Sequence, residues 1–472
     1  MPAYDTGALS AGILHIGVGN FHRAHQAVYL DDLFNRGSDL DWALVGAGIR
    51  DTDAAMCRDL VGQDWLTTVV EQEVSASSAR VIGSMIDFVA PGDPGRILAV
   101  LADPAIRIVS LTITEGGYCI DPATQAFDPA HPDIVADAAD IAHPRGVFGV
   151  LLAALARRRA AGQPPFTVMS CDNLPGNGDV ARNAVAGLAE RVDIGLAAWV
   201  RDTVAFPSSM VDRITPATGE RERALVRSDY GVADARPVFC EGFRQWVLED
   251  HFTAGRPALE RVGVQFVSDV QPFELMKIQI LNGGHAAIAY PAALLDFYFV
   301  HEAMAEPLLS GYLRKLLDHE VIPVVPPVPA TDLHAYRVRI ESRFANPKIG
   351  DTIQRLCMDG SNRQPKFVLP TAMAALQRGT AVEGLALVSA FWCRYCHGTT
   401  ESGRTVEPND AAWPRLQAAA RAARHDPAAW LALRDIFGDL PRRPRYARAF
   451  ADALQRIWRD GTRATLAHYH DG

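Results

Sequence analysis

The sequence predicts an α/β protein, with a parallel sheet in its N-terminal portion and a mostly α-helical C-terminal portion. Two observations carry this. Apolar runs of strand type recur between residues 12 and 170, and each ends in a glycine-rich or polar turn. After His285 the character changes to Ala-rich helical stretches, such as 372–377, 384–395, 413–423 and 446–459. With 472 residues, 49% hydrophobic and 21% charged, the chain has apolar material for two or three cores, and two domains are the expected division. They are placed at 1–276 and 277–472.

The first strand, 12–16, runs straight into Gly17-Val-Gly19-Asn-Phe21-His22-Arg-Ala-His25, with a helix expected over 24–34. Strand, G-x-G turn and helix in that order make a dinucleotide-binding turn, whose glycines let the backbone reach a pyrophosphate resting on the helix N-terminus. His22 replaces the third small residue of that fingerprint. A second strand, 42–49, ends in Arg50-Asp51-Thr52-Asp53. An acidic side chain here takes the adenosine ribose hydroxyls and repels a 2′-phosphate, so Asp51 and Asp53 favour NAD over NADP, while Arg50 argues the other way. A third run, 106–114, meets Glu115-Gly116-Gly117-Tyr118. Strands ending in such turns imply a parallel sheet with its ligand at the strand C-termini. The stretch 166–178 reads as a strand and then a turn bearing Asp172, Asn173 and Asn177, which turn chemistry alone would explain. In 206–216, apolar residues flank an Asp212-Arg213 pair that is either structural or functional. Residues 228–270 hold strand-like pieces, including 262–267, and the proline run 323–329 reads as a stiff extended connection.

Composition removes several functions. The net charge is −9 and no Lys/Arg run forms a phosphate-binding stripe, so nucleic acid is not an expected partner; Arg157-Arg158-Arg159 reads as a helix end. The apolar stretch 146–156 is too short to cross a bilayer and is expected as a buried helix. The first six residues have neither the basic start nor the apolar core of a signal peptide, which points to the cytoplasm. Seven scattered cysteines fit reduced thiols. Cys393-Arg-Tyr-Cys396-His397 spells a c-type haem attachment sequence, but that chemistry needs export. Zinc would need two more ligands at matching spacing, so two thiols in a buried helix, with no metal, are expected.

The densest proton chemistry lies in Glu274-Leu-Met-Lys277-Ile-Gln-Ile-Leu-Asn282-Gly-Gly-His285. Pro272 suits a first helical turn. At about 100° per residue, Glu274, Lys277, Asn282 and His285 fall within an arc of roughly 140° on a helix that is apolar nearly all round and therefore buried. Gly283 and Gly284 each weaken a helix by about 1 kcal/mol, which makes sense where something approaches the backbone closely. A satisfied buried polar network is the plain alternative.

Several ordered stretches together resemble the polyol-specific long-chain dehydrogenases, a family that includes mannitol and arabinitol dehydrogenases and hexuronate reductases. They are the Gly17–His25 turn, Thr114-Glu115-Gly-Gly-Tyr118, Ser170-Cys-Asp-Asn173-Leu-Pro175, Met210-Val-Asp212-Arg-Ile-Thr-Pro216, the Lys277, Asn282, His285 array and Met358-Asp-Gly-Ser361. The resemblance covers nearly the whole chain. It implies a Rossmann-type N-terminal domain, a mostly helical C-terminal domain with the site in the cleft between them, NAD without a metal, reversible oxidation of a sugar alcohol (mannitol, sorbitol or arabitol, among which the sequence does not choose) to its ketose, and a monomer. By that likeness Lys277 is the general base, and Asn173 and Asn282 hold the reacting oxygen. Asp212, His285 and Arg355 position the rest of the polyol, and Glu274 lies on the proton path to solvent. Gly17, Gly19, Phe21, Arg50, Asp51, Asp53, Thr114 and Glu115 serve the cofactor. Two positions depart from the pattern: Gln279 stands where many relatives have Arg, and Arg363 where a substrate-side Lys is expected. An Arg offers a planar fork suited to a carboxylate, so a hexuronate reductase is the alternative within the family. An epimerase that keeps its NAD, or a nucleotide-sensing protein, is the alternative outside it.

The implied reaction sets its own conditions. A lysine removes a hydroxyl proton only when neutral, so its ordinary pKa of about 10.4 must fall by about two pH units, through burial and the positive nicotinamide. Glu274 must then be separated or water-linked rather than tightly paired. Amide donors preset around a developing alkoxide are worth about 3 kcal/mol apiece.

Overall fold

In the computed structural model, which describes residues 1–121, 124 and 126–471, the chain divides into two compact units, Met1–Gln271 and Pro272–Gly472. The strands of the first unit are β1 (Ala11–Ile16), β2 (Ala43–Ala47), β3 (Thr67–Gln72), β4 (Ser77–Ile82), β5 (Met85–Val89), β6 (Ile108–Leu111), β7 (Thr167–Ser170), β8 (Ser209–Asp212), β9 (Val238–Glu241), β10 (Gln245–Glu249) and β11 (Gln265–Val267). Five of them form one sheet in the order β5-β2-β1-β6-β7, with every neighbouring pair parallel. Counted along the chain this is 3-2-1-4-5, the order of a Rossmann-type sheet, which reverses between β1 and β6 and leaves a crevice beyond their C-terminal ends.

Side chains alternate across the strands, so each strand feeds two cores. Leu14, Ile16, Val45, Ala47, Val109 and Leu111 enter one core with residues of the helices Pro94–Ala102, Val147–Ala160 and Asn177–Val192. Ile13, Leu44, Ile108 and Met169 enter the other with the helix Gln26–Phe34. Burial on both faces explains why these strands read as unbroken apolar runs. The apolar stretch at 146–156 is the buried helix Val147–Ala160, with the arginine triplet in its last turn.

Two features differ from the sequence expectation. The helix after the glycine turn is two pieces, Asn20–Ala24 and Gln26–Phe34, broken at His25 (φ −121°, ψ −88°). There the His25 ring stacks on Phe21 and its Nε2 pairs with the Gln245 carbonyl at 2.9 Å. The strand-like stretch 228–270 does hold β9, β10 and β11, but the two small sheets they join were not foreseen: β4-β3-β9, where β3 and β4 are antiparallel, and β11-β10-β8.

The second unit is helical. Its centre is Glu383–Cys396, in which every residue after Glu383 is buried, including both thiols of the C-x-x-C pattern. It packs against Pro444–Asp471 and Gly283–Leu294. The proline run is not extended at its start, since Ile322–Val324 forms a 3-10 turn directly after a π-helical segment, Leu317–Val321. Proline in the first turn costs no hydrogen bond, which permits this. Among the described residues, no helix is long and apolar enough to cross a membrane, and no group of three or more His, Cys, Asp or Glu could hold a metal ion.

Candidate active site

Beyond the ends of β1, β2 and β6 lies a cavity of about 350 Å³, lined among others by Gly17, Arg50, Asp53, Thr112, Thr114 and Gly116. Gly17 has φ +97°, and a Cβ there would lie 2.1 Å from the Thr112 carbonyl oxygen, so no other residue fits. The Asp53 Oδ2 accepts hydrogen bonds from the amides of Ile49 and Arg50, both at 3.0 Å, which folds the turn after β2 around the carboxylate. Asp51 is exposed and lines a neighbouring cavity of about 240 Å³ with Gly48, Gly92 and Arg145. Gly19, Phe21 and Glu115 are not among the lining residues of the larger cavity. Gly19 caps the helix Asn20–Ala24, Phe21 stacks on His25, and Glu115 is exposed at the start of a 3-10 turn. The opposite wall, which includes Asp133, Ile134, Arg145 and Phe148, escaped the sequence reading. Its only sequence signal was Gly146 ahead of an apolar helix. A crevice at the order reversal, floored by a glycine turn with an acidic side chain after β2, fits a dinucleotide.

Beneath this turn the imperfect fingerprint finds its explanation. His22 stacks flat on His15, with ring centroids 3.4 Å apart and an interplanar angle of 11°. His15 pairs through Nδ1 with the Ser110 hydroxyl at 2.8 Å and through Nε2 with the Thr112 hydroxyl at 2.9 Å, tying β1 to β6. Burial pushes His15 and His25 down to about 3, and burial followed by the charge of His15 pushes His22 well below its ordinary range. The position that a small residue usually fills is here part of a neutral aromatic stack.

Thr114 sits at φ 65°, ψ 162°, a backbone region that glycine owns and that costs another residue about 1–3 kcal/mol. Asp172, at the end of β7, secures it: its Oδ1 accepts from the Thr114 amide at 2.9 Å, and its Oδ2 from the Ile113 amide at 2.9 Å and the Tyr118 hydroxyl at 2.8 Å. Burial raises the Asp172 carboxyl, and these three donors pull it back down. Asn173 follows it in an exposed turn. Asp212 ends β8 and is buried. Its neighbour Arg213 is a structural pin, with its guanidinium on the carbonyls of Glu241 and Ala24 and on the Glu71 carboxylate at 2.7 Å.

In the second unit the expected single α-helix is three segments. Glu274 lies in Gln271–Met276, Lys277 and Asn282 at the two ends of a π-helical segment, Lys277–Asn282, and His285 in Gly283–Leu294. This corrects the even spacing of 100° per residue. Five α-helical steps turn about 500°, leaving two residues about 140° apart, whereas π turns bonded i to i+5 advance roughly 80–90° per residue and bring them within about 40–90°. The π segment therefore draws Lys277 and Asn282 toward one face. Glu274 and Lys277 are both buried. The side-chain oxygens of Asn282 and Gln279 are buried with no hydrogen-bond partner among the described residues. What approaches Gly283 is the Phe367 carbonyl, 3.2 Å from where a Cβ would stand.

His285 stacks on Phe344 at 3.9 Å, and burial holds it at about 3, with Asp351 opposing and Arg355, Arg343 and Arg363 reinforcing. It is therefore a neutral imidazole at physiological pH. Arg355 forks onto Asp351, a partner the sequence reading missed. The Nη1 of Arg363 donates to the carbonyls of Arg355 and Leu356 at 3.2 and 3.1 Å, closing the end of the helix Ile353–Cys357.

The mannitol dehydrogenase Rossmann domain matches residues 11–261, and the mannitol dehydrogenase C-terminal domain matches residues 269–458. The chain belongs to the mannitol dehydrogenase family. A mannitol 2-dehydrogenase of Cereibacter sphaeroides is 58% identical to this family member over 469 residues, covering 99% of this chain and 98% of the relative. Among solved structures, the Pseudomonas fluorescens mannitol 2-dehydrogenase ternary complex with NAD and D-mannitol is 44% identical with a TM-score of 0.87, covering 100% of this chain and 96% of that one. A D-sorbitol dehydrogenase in substrate-free form is 36% identical with a TM-score of 0.91, covering 98% and 96%. The family assignment thus spans both units.

Proposed function

We propose that this NAD-dependent polyol dehydrogenase of the mannitol dehydrogenase family oxidises the C2 hydroxyl of mannitol to the ketose, reversibly and without a metal, with Lys277 as general base. The observation that carries the reading is the 58% identity, over 99% of the chain, to a relative named mannitol 2-dehydrogenase. When bound, NAD supplies the hydride acceptor. The chain's own residues do the rest. The neutral amine of Lys277 takes the hydroxyl proton, and the amides of Asn173 and Asn282 donate to the oxygen as it gains charge, each worth about 3 kcal/mol. The π segment supports this by turning Lys277 and Asn282 to one side. Glu274, buried one turn earlier, relays the proton outward. Asp212, Arg355 and the neutral imidazole of His285 orient the remaining hydroxyls. Gly17, Arg50, Asp53 and Thr114 hold the cofactor. All seven cysteines are free and buried, which suits a cytoplasmic enzyme, and we take it to act as a monomer.

The hexuronate alternative needs Arg363 to present its fork to a carboxylate. Its Nη1 is already spent on two main-chain carbonyls, which favours the polyol. Initial rates with mannitol, sorbitol, arabitol, fructuronate and tagaturonate, each with both nicotinamide cofactors, test the choice. The highest kcat/KM is expected for mannitol with NAD, and a uronate preference would overturn it. Lys277→Ala is expected to keep NAD binding and to lose about 10³-fold or more in kcat. Near-normal turnover at saturating mannitol would remove lysine from the mechanism.

A further inference from the structure

Asp172 is a buried carboxylate met by three donors, the amides of Ile113 and Thr114 and the Tyr118 hydroxyl, so both of its oxygens act as acceptors. Its main chain is fixed too: the Asp172 carbonyl accepts from the Asn177 side chain at 2.9 Å and from the Leu174 amide at 2.9 Å. The same Asn177 side chain donates to the Ser209 carbonyl at 2.8 Å at the head of β8, the strand that ends in Asp212. One residue therefore ties the end of β6, which carries the cavity-lining Thr114, to the end of β7, where Asn173 follows directly. The Thr114 conformation is one that only a surrounding structure can enforce, and the two amides on Asp172 are that enforcement.

We propose that Asp172 is a positioning residue that sets the cofactor-binding Thr114 loop and Asn173 in a single register, so that cofactor affinity and stabilisation of the reacting oxygen depend on one buried carboxylate. This rests on the reading above that the loop serves NAD and Asn173 the substrate oxygen. Asp172→Asn would turn an NH₂ toward one of the two backbone amides and lose that acceptor, while keeping size and shape.

The full-length enzyme is measured by calorimetry for NAD affinity, by steady-state kinetics for kcat and KM, and by thermal unfolding. For Asp172→Asn, NAD is expected to bind about tenfold more weakly and kcat to fall as well, because strain at Thr114 is released when its anchor goes. Tyr118→Phe keeps the ring and removes one donor, so it moves both quantities in the same direction by about threefold, and it serves if Asp172→Asn fails to fold. In a Thr114→Gly background the backbone no longer needs forcing, and the effect of Asp172→Asn on NAD affinity shrinks to about a third or less. A merely structural carboxylate would lower the unfolding temperature and leave NAD affinity and kcat untouched in both variants, and that result overturns the proposal. An undiminished effect in the glycine background does so as well. If Lys277→Ala abolishes turnover while these variants behave as wild type, this inference alone fails; if the wild-type chain binds no NAD, it is the functional reading that fails.

Discussion

Lowering the pH from 7 to 5.5 is expected to strip stability from the first unit, because three imidazoles are folded there in their neutral form. His15 and His25 are held at about 3 and His22 well below its ordinary range, while an unfolded imidazole titrates near about 6.5. The folded values are depressed, so below 6.5 the unfolded chain binds the extra protons. The stability contributed by these groups is whole above that pH and is lost as the pH falls toward 3. At pH 5.5 the loss is about 1.4 kcal/mol per imidazole, on the order of 4 kcal/mol for three, against a typical total of about 5–15 kcal/mol for a domain. Burial raises the carboxyls of Asp31, Asp137 and Asp172, which gives the opposite sign, since the folded state then binds protons more readily. Their gain is complete only below about 3.9, whereas each imidazole already loses stability from about 6.5 downward. Urea unfolding at half-unit pH steps measures the slope. His22→Ala, which also opens a cavity, lowers stability at every pH but should make the slope shallower by about a third. A midpoint constant from pH 7 to 5.5 would mean that the stack protonates in place, and the account of why His22 replaces a small residue would fall with it.

Gly17→Ala puts an L-residue at φ +97° with its Cβ 2.1 Å from the Thr112 carbonyl oxygen, so beyond the conformational penalty of about 1–2 kcal/mol the turn itself must move. At least tenfold weaker NAD binding by calorimetry is expected, and full affinity would place the cofactor elsewhere. Asp53→Ala combined with Asp51→Ala is expected to narrow the preference for NAD over NADP in KM. Because Asp53 also folds the turn, Asp51→Ala alone should do less, and an unchanged ratio in the double variant would move the ribose away from this turn. Arg355→Ala leaves Asp351 without its fork and is expected to raise KM for the polyol more than it lowers kcat; a fall in kcat at constant KM would refute a role in ground-state binding.

The sheet was legible because strands buried on both faces write themselves as apolar runs, and their glycine-bearing ends fall where the chain must turn sharply. The β3–β4 hairpin was not, since Thr67–Gln72 and Ser77–Ile82 mix polar and small residues and are only partly buried toward their exposed ends. Gly17, Arg50, Asp53 and Thr114 could be picked out in the sequence and do line one cavity, because a turn's position relative to its strand is a local property. The wall formed by Ile134, Arg145 and Phe148 comes from a distant part of the chain and announces itself by no spacing rule. Asp172 was visible only inside a motif, since the amides it anchors lie some 58 residues earlier.

The π segment is where periodicity reasoning had to fail, and the failure is informative. A wheel drawn at 100° per residue assumes that every amide bonds four residues back, and it spreads Glu274, Lys277, Asn282 and His285 over a broad arc that argues only weakly for a site. Bonds reaching five residues back are less favourable and appear chiefly as short interruptions within α-helices, frequently at functional positions, so a run of six residues, Lys277–Asn282, needs surroundings that favour it. Those surroundings are present: Lys277, Gln279, Ile280 and Leu281 are buried, Gly283 lets the Phe367 carbonyl come close, and a second π segment, Leu317–Val321, packs against the first. What the distortion achieves is angular. It turns an amine and an amide that an ideal helix would hold well apart toward a common side, and the amide oxygens of Asn282 and Gln279 are buried without partners among the described residues. Buried amides are rarely left so without reason, and a polyhydroxylated ligand is the kind of molecule that would complete them.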